Sequence, residues 1–303
     1  GGYLKLTAAN ASIRDTNAIE LGESTVSGNY TLTAGGAVSD DGDLDIEGTT
    51  TISASGSNVV LDRATHDFTG AVAVEGATVE LADANSIVLG TSNVSGTYTV
   101  TATTGNITQN AALTVTGTTT LTTSANDATI TLNNTSNAFT GAMTITTNDA
   151  SGTDADVTID GGTTALNIGA STIDGDLTVT SDNASGITDS GTVTVGGNLV
   201  ATTDGNNGVI DLGTTTVTGT MDLTSHGSGN VTIDNANADI VLIASEIGGN
   251  LTLTTGNASG IIDSGTVTVG GNLVATTDAN SGVINLDSMA VDGTFTLSPH
   301  STG

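Results

Sequence analysis

The chain has 303 residues, with 32 acidic against 3 basic side chains and a formal net charge of −29. Lys5, Arg14 and Arg63 are too few to neutralise a phosphate backbone or an anionic lipid surface, which excludes nucleic-acid binding and electrostatic membrane attachment. The absence of cysteine excludes disulfides, thiolate metal sites and thiol catalysis, and no apolar run approaches the ~18 residues of a membrane-spanning helix.

Charged residues at 12% and aromatics at 2% would suit a solvated coil, but 36% of residues are apolar and the mean hydropathy is +0.12. Val, Ile, Leu and Thr recur at fixed spacing, an order that a disordered chain does not need. There are 41 glycines and a single proline, Pro299. Proline cannot donate to a β-ladder, so a chain in which nearly every segment pairs would leave it out.

The chain opens as GGYLKLT, already in a strand alternation. It begins at Gly1 without a signal-peptide pattern, so it reads as a mature product or as part of something longer. A glycine then opens an apolar-alternating strand at positions 28, 48, 70, 96, 117, 141, 175, 197, 219, 249, 271 and 293. Most successive positions lie roughly 20 to 24 apart, within the range of solenoid repeat periods. The longer steps, Gly141 to Gly175 and Gly219 to Gly249, predict an inserted loop or a longer turn. Residues 175–212 also match 249–286 at a constant offset of 74, with 30 of 38 positions identical.

Within one unit, 191–203, Val193, Val195, Leu199 and Ala201 share one parity and Thr192, Thr194, Asn198 and Thr202 the other, so one face is buried and one wet. Turn formers separate the strands: Ser185-Gly186, Asp189-Ser190-Gly191 and Asp204-Gly205-Asn206-Asn207-Gly208. Glycine and β-branched residues argue against helix. A recurring step of roughly 22 residues predicts an all-β, right-handed parallel β-helix of roughly 13 rungs spaced ~4.8 Å, on the order of 60 Å long; the hand is the general rule for parallel crossovers. We expect one continuous β-solenoid over 1–303, with Phe68, Phe139 and Phe295 filling a narrow core. The ends read as uncapped, which predicts flanking sequence or stacking on further copies.

For chemistry, the acidic run Ser39-Asp40-Asp41-Gly42-Asp43-Leu44-Asp45 is the densest cluster and the one candidate for calcium, although it lacks the spacing of a calcium loop; a solvated acidic turn is the plainer reading. Asp189 and Asp211 are 22 apart and are expected to stack on adjacent rungs, with Asp263 facing Asn285 in the copy. The pairs Thr178/Thr180, Thr192/Thr194, Thr252/Thr254 and Thr266/Thr268 suit either an ordinary outward β-face or an ice-binding ladder. His66, His226 and His300 read as surface residues, and the basic residues as far apart. Ser190 and Ser264 lack a neighbouring histidine to activate them, so no catalytic or metal site is assigned. Asn-x-Ser/Thr triplets at Asn29, Asn93, Asn106, Asn183, Asn230, Asn250 and Asn257 are no more than this composition gives by chance. A ligand groove would need a loop, and 153–170 and 225–247 are the candidates.

The block from His66-Asp67-Phe68-Thr69-Gly70 through GTTTLTT, its echo at Asn137-Ala138-Phe139-Thr140-Gly141, and the block at 249–277 together resemble the repeat region of large filamentous-haemagglutinin-type exoproteins. That resemblance covers nearly the whole chain and implies a β-helical shaft, secreted by Gram-negative bacteria, that mediates adhesion, aggregation or biofilm formation. The expected function is therefore a non-enzymatic extracellular fibre of a bacterial surface, an adhesin shaft or a filament subunit. Its expected partners are its own copies, end to end or in bundles, and surface glycans. The alternatives are a carbohydrate-binding, ice-binding or polysaccharide-degrading β-helix.

Overall fold

A computed structural model describes residues 2–150, 154–203, 205, 207–278 and 282–300. The turn residues Asp204 and Asn206 and the start of the proposed loop at 153 lie outside these. The described residues contain strands and turns and no helix. They fall into two compact units, Gly1–Ala150 and Ser151–Gly303, each a parallel β-solenoid.

In the first unit, Ile19, Val38, Val59, Val79, Tyr98, Thr119 and Met143 occupy one column through successive stacked strands. In the second, Leu166, Ile187, Ile210, Val231, Leu251, Leu273 and Phe295 do the same. Leu177, Leu199 and Met221 stack on the second unit's other wall. One turn is therefore one circuit of the chain; Asp176 and Asn198, bonded across a turn, stand 22 apart in sequence. Inward parity is apolar and sealed: Leu61, Leu81, Val100, Leu121 and Ile145 form a column with no member above 2% exposure. Burying each such side chain contributes roughly 1.5–3 kcal/mol. Phe68 and Phe139 fill this core as expected, but Phe295, in register over Leu273, is 51% exposed.

The repeated glycines stand where one turn leaves no room over the last. A Cβ on Gly48 would lie 2.4 Å from Gly28 C, one on Gly117 2.5 Å from Gly96 C, and one on Gly219 2.6 Å from Gly197 O. Their N–H groups donate to the glycine carbonyl beneath, Gly48 to Gly28 at 3.1 Å and Gly219 to Gly197 at 2.9 Å. These glycines are thus selected by close backbone approach. Positive φ is the reason at other positions, such as Gly186 (φ 64) and Gly260 (φ 85). The next residue extends the contact with its side chain. The N–H groups of Asn250, Asn272 and Thr294 donate to the Oδ1 of Asn230, Asn250 and Asn272 respectively, at 2.8–2.9 Å. Asp156, Asp176, Asn198 and Thr220 repeat the pattern.

The long glycine step from 219 to 249 is a change of column, without an inserted loop. Gly175, Gly197 and Gly219 form one column of the second unit, and Gly229, Gly249, Gly271 and Gly293 form another. Residues 225–247, expected to loop out, are ladder strands Val231–Asn235, Ile240–Leu242 and Ser245–Ile247. So is much of 153–170, with Val157–Asp160 and Leu166–Ile168. Each circuit carries one straight strand on one wall and a pair of short strands around a kink on the other. Early in the second unit the straight strands are Leu177–Ser181 and Leu199–Thr203, and the kinked pairs are Leu166–Ile168 with Ser171–Ile173 and Ile187–Asp189 with Val193–Val195. Later the assignment reverses. Straight strands Val231–Asn235 and Leu251–Thr255 continue the formerly kinked wall, and the kinked pair Ile240–Leu242 with Ser245–Ile247 continues the formerly straight one. Ile210–Val217, whose register shifts between Leu212 and Thr215, closes the first kink. The 74-residue copy is therefore not a whole number of turns, and Leu177 and its copy Leu251 lie on different walls.

A buried serine opens each new kink. Met221 pairs with Leu242 and Thr224 with Glu246, so four steps of chain lie over three. The strand beneath would lose a ladder acceptor. Ser245 Oγ supplies it, accepting the Leu223 N–H at 3.1 Å while donating to Ile243 O at 3.2 Å. Ser92 does the same in the first unit, accepting the Val74 N–H at 3.3 Å and donating to Gly90 O at 3.0 Å.

Two outcomes are expected in urea unfolding. Gly219→Ala should lose about 1–3 kcal/mol by overpacking, while Gly213→Ala, where a Cβ meets nothing within 4 Å, should change stability by less than about 0.5 kcal/mol. Ser245→Ala should lose about 1–3 kcal/mol, because it leaves the buried Leu223 N–H without an acceptor.

Candidate functional site

The first kinked corner of the first unit gathers the chain's unusual chemistry. The acidic run 39–45 passes there from the strand Val38–Asp40 through the turn at 41–43 into Leu44–Ile46, and 63–66 lie on the next turn. His66, expected on the surface, is fully buried, because its ring takes a structural place beneath the corner. Its Nδ1 accepts the Leu44 N–H at 3.0 Å, which leaves the proton on Nε2. Nε2 faces Asp40 Oδ2 at 3.4 Å, and the ring packs against Phe68 at 5.5 Å between centroids. Burial pushes His66 down to about 4 and Asp40 up to about 6, the latter helped by the neighbouring Asp62 carboxylate. The pair thus rests as neutral imidazole facing a carboxyl that holds its proton more readily than usual.

Arg63 closes the corner from outside. Its Nε lies 2.9 Å from Asp43 Oδ1 and 3.7 Å from Asp40 Oδ2. The Thr65 hydroxyl donates to Asp43 at 2.6 Å, and this bond, with that from Arg63, holds the Asp43 carboxyl below its usual range. Two carboxylates of the acidic run, Asp40 and Asp43, therefore face protein donors. Among the described residues no group of three or more His, Asp or Glu side chains is arranged to hold a metal ion. Beside this corner runs a groove of about 420 Å³ lined by Tyr3, Lys5, Gly22, Glu23, Asp41, Gly42, Asp43 and Arg63. Lys5 and Arg63, expected far apart, share it because the chain between them makes whole circuits and returns to the same corner. Arg14 lies on a wall strand in register with Thr33.

The remaining candidates are spread over the walls. Asp211 pairs with Thr188, and Asn285 with Ile262, each one residue away from the expected stacking on Asp189 and Asp263. Those two aspartates cap the next kink instead. Asp189 accepts the N–H groups of Gly213 and Thr214 at 2.9 and 2.8 Å, and Asp263 those of Asp287 and Ser288 at 2.9 and 2.7 Å. Of the threonine pairs, Thr180 meets Thr202 and Thr224 but then Glu246, and Thr178 meets Val200 and Asp222. His226 and His300 are exposed, as expected. Ser264 Oγ reaches Leu242 O at 3.5 Å. Several asparagines of Asn-x-Ser/Thr triplets are structural: Asn29, Asn106, Asn230 and Asn250 each accept a backbone N–H of the next turn. The sequence reading also missed Asp83, fully buried, which accepts the N–H groups of Phe68 and Asn85 and is pushed up to about 6 by burial. Its signal was present as an acid at an inward position of the strand Val79–Asp83.

A pH dependence follows. Asp40 and Asp83 hold protons more tightly folded than unfolded, so the stability they favour is present below pH ~4 and is lost as pH rises through about 6. His66 acts oppositely: its contribution is present above pH ~6.5 and is lost as pH falls towards about 4. Two groups outweigh one. The first unit should gain stability between pH 6 and 4.5 in denaturant titrations, and Asp40→Asn should flatten that gain.

A family model described as repeats of unknown function (DUF5649) matches residues 8–75, 76–146, 154–209 and 228–298. No curated protein and no solved structure matches the chain. The matched spans follow the wall changes: Gly28, Gly48 and Gly70 lie in the first, and Gly96, Gly117 and Gly141 in the second.

Proposed function

Since the chain belongs to the repeats of unknown function (DUF5649), we propose that it is a non-enzymatic structural segment of an extracellular fibre on a bacterial surface. The observation that carries this reading is the turn-on-turn hydrogen bonding within each unit, in which wall strands, glycine columns and asparagine side chains all bond along the stacking direction. Such a ladder resists extension and bending, because any parting of two turns breaks many main-chain bonds at once. The walls present Thr, with Ser53, Asn167, Asp222 and Asp234, at half-exposed positions, a hydrated surface that discourages lateral collapse. The charge of −29 keeps the segment off its own anionic envelope, and three basic residues give trypsin-like proteases few places to cut. Adhesion then belongs to sites along or beyond the shaft, with the chain setting their distance from the cell.

Immunogold electron microscopy of native cells, with antibody raised to the full chain, tests this. Label along fibres outside the envelope is the expected result. Label confined to the cell interior would refute it.

A further inference from the structure

The geometry points to a binding site for a short neutral oligosaccharide in the groove of the first kinked corner. The groove runs along the stack, with Tyr3 and Lys5 on the first circuit, Gly22 and Glu23 on the second, Asp41, Gly42 and Asp43 on the third, and Arg63 on the fourth. Three inter-turn spacings of ~4.8 Å make it about 14 Å long, enough for two or three sugar rings. Its volume of about 420 Å³ lies in the range of small-ligand sites.

Its side chains match that class of ligand. The chain holds six Tyr and Phe residues and no Trp, and Tyr30, Tyr98, Phe68 and Phe139 are sealed in the core. Tyr3 instead is 48% exposed at the groove's end. The Lys5 ammonium sits 5.0 Å from the centre of its ring. That ammonium is on a flexible stem, and the π-face it occupies is one that the polarised C–H edge of a sugar can take in its place. Planar, fork-shaped groups follow along the stack, on the second, third and fourth circuits. The Glu23 and Asp41 carboxylates accept, and the guanidinium of Arg63, held by Asp43, donates.

The floor is formed by Gly22 and Gly42. A Cβ on Gly22 would lie 2.6 Å from Tyr3 Cδ2 and 3.0 Å from Lys5 Cγ, so the ring and the lysine stem lie directly over a residue without a side chain. Charge selects against acidic sugars. The groove carries Glu23, Asp41 and Asp43 against Lys5 and Arg63, within a chain of net charge −29. An anionic ligand would meet repulsion on approach and inside. The site is independent of the fibre role, since it needs only the first four circuits.

The test is binding of the labelled full chain to an array of neutral hexose and N-acetylhexosamine trisaccharides alongside oligouronates. Tyr3→Ala and, on a turn further along the stack from the groove, Thr120→Ala are run in parallel, and urea unfolding checks that each is folded. Binding to at least one neutral trisaccharide is expected, weakened about tenfold or more by Tyr3→Ala and unchanged by Thr120→Ala. The proposal is overturned if no neutral trisaccharide binds, if only oligouronates bind, or if folded Tyr3→Ala binds as well as the parent.

Discussion

Everything in this protein depends on the close approach of one turn to the next. Parallel strands pair at a separation of ~4.8 Å, and at the corners that separation applies to bare backbone. There a side chain would collide with the carbonyl beneath, so glycine recurs once per circuit. The following Asn or Asp can then accept the N–H of the turn above. One spacing thus dictates the glycine, the asparagine after it and the absence of proline from the ladder.

The same spacing constrains where a kink can run. A circuit with one straight and one kinked wall must keep the walls level, so residues gained at one corner are lost at another. The second unit shows both halves of this exchange. The kink closes over Ile210–Val217 and reopens over Ile240–Ile247 on the other wall. Ser245 makes the opening tolerable by replacing a lost ladder acceptor. Near-identical sequence blocks therefore present their outward side chains in different directions, which lets one duplicated module furnish two walls of the second unit.

The first corner departs from this economy. Asp189 and Asp263, which cap other kinks, are only half-buried, whereas His66 and Asp83 are fully buried and the Asp40 side chain is 3% exposed. Each has a structural task, accepting main-chain N–H groups or facing one another, and each task costs solvation of the charged form. Asp40 also faces Arg63, which lines the groove with Tyr3 and Lys5, so this corner is chemically unlike the rest of the stack.

The sequence by itself determined the circuit length, the parity of the walls and the parallel stacking, because period-two alternation and a glycine once per circuit are direct imprints of the ladder. It also marked Phe68, Phe139 and Phe295 as fillers of a narrow core, which holds for the first two and fails for Phe295 at 51% exposure. What it could not supply was the register around kinks. Asp189 and Asp211 stand one nominal circuit apart, yet the kink between their turns shifts the pairing by one, so Thr188 meets Asp211 and Asp189 caps the corner. The exchange of walls was hidden for the same reason, since a column change and a loop insertion lengthen the glycine step alike. Only the stacked turns decided that His66 lies inside and that Lys5 and Arg63 line one groove, because those neighbours are set by turns and not by nearness along the chain.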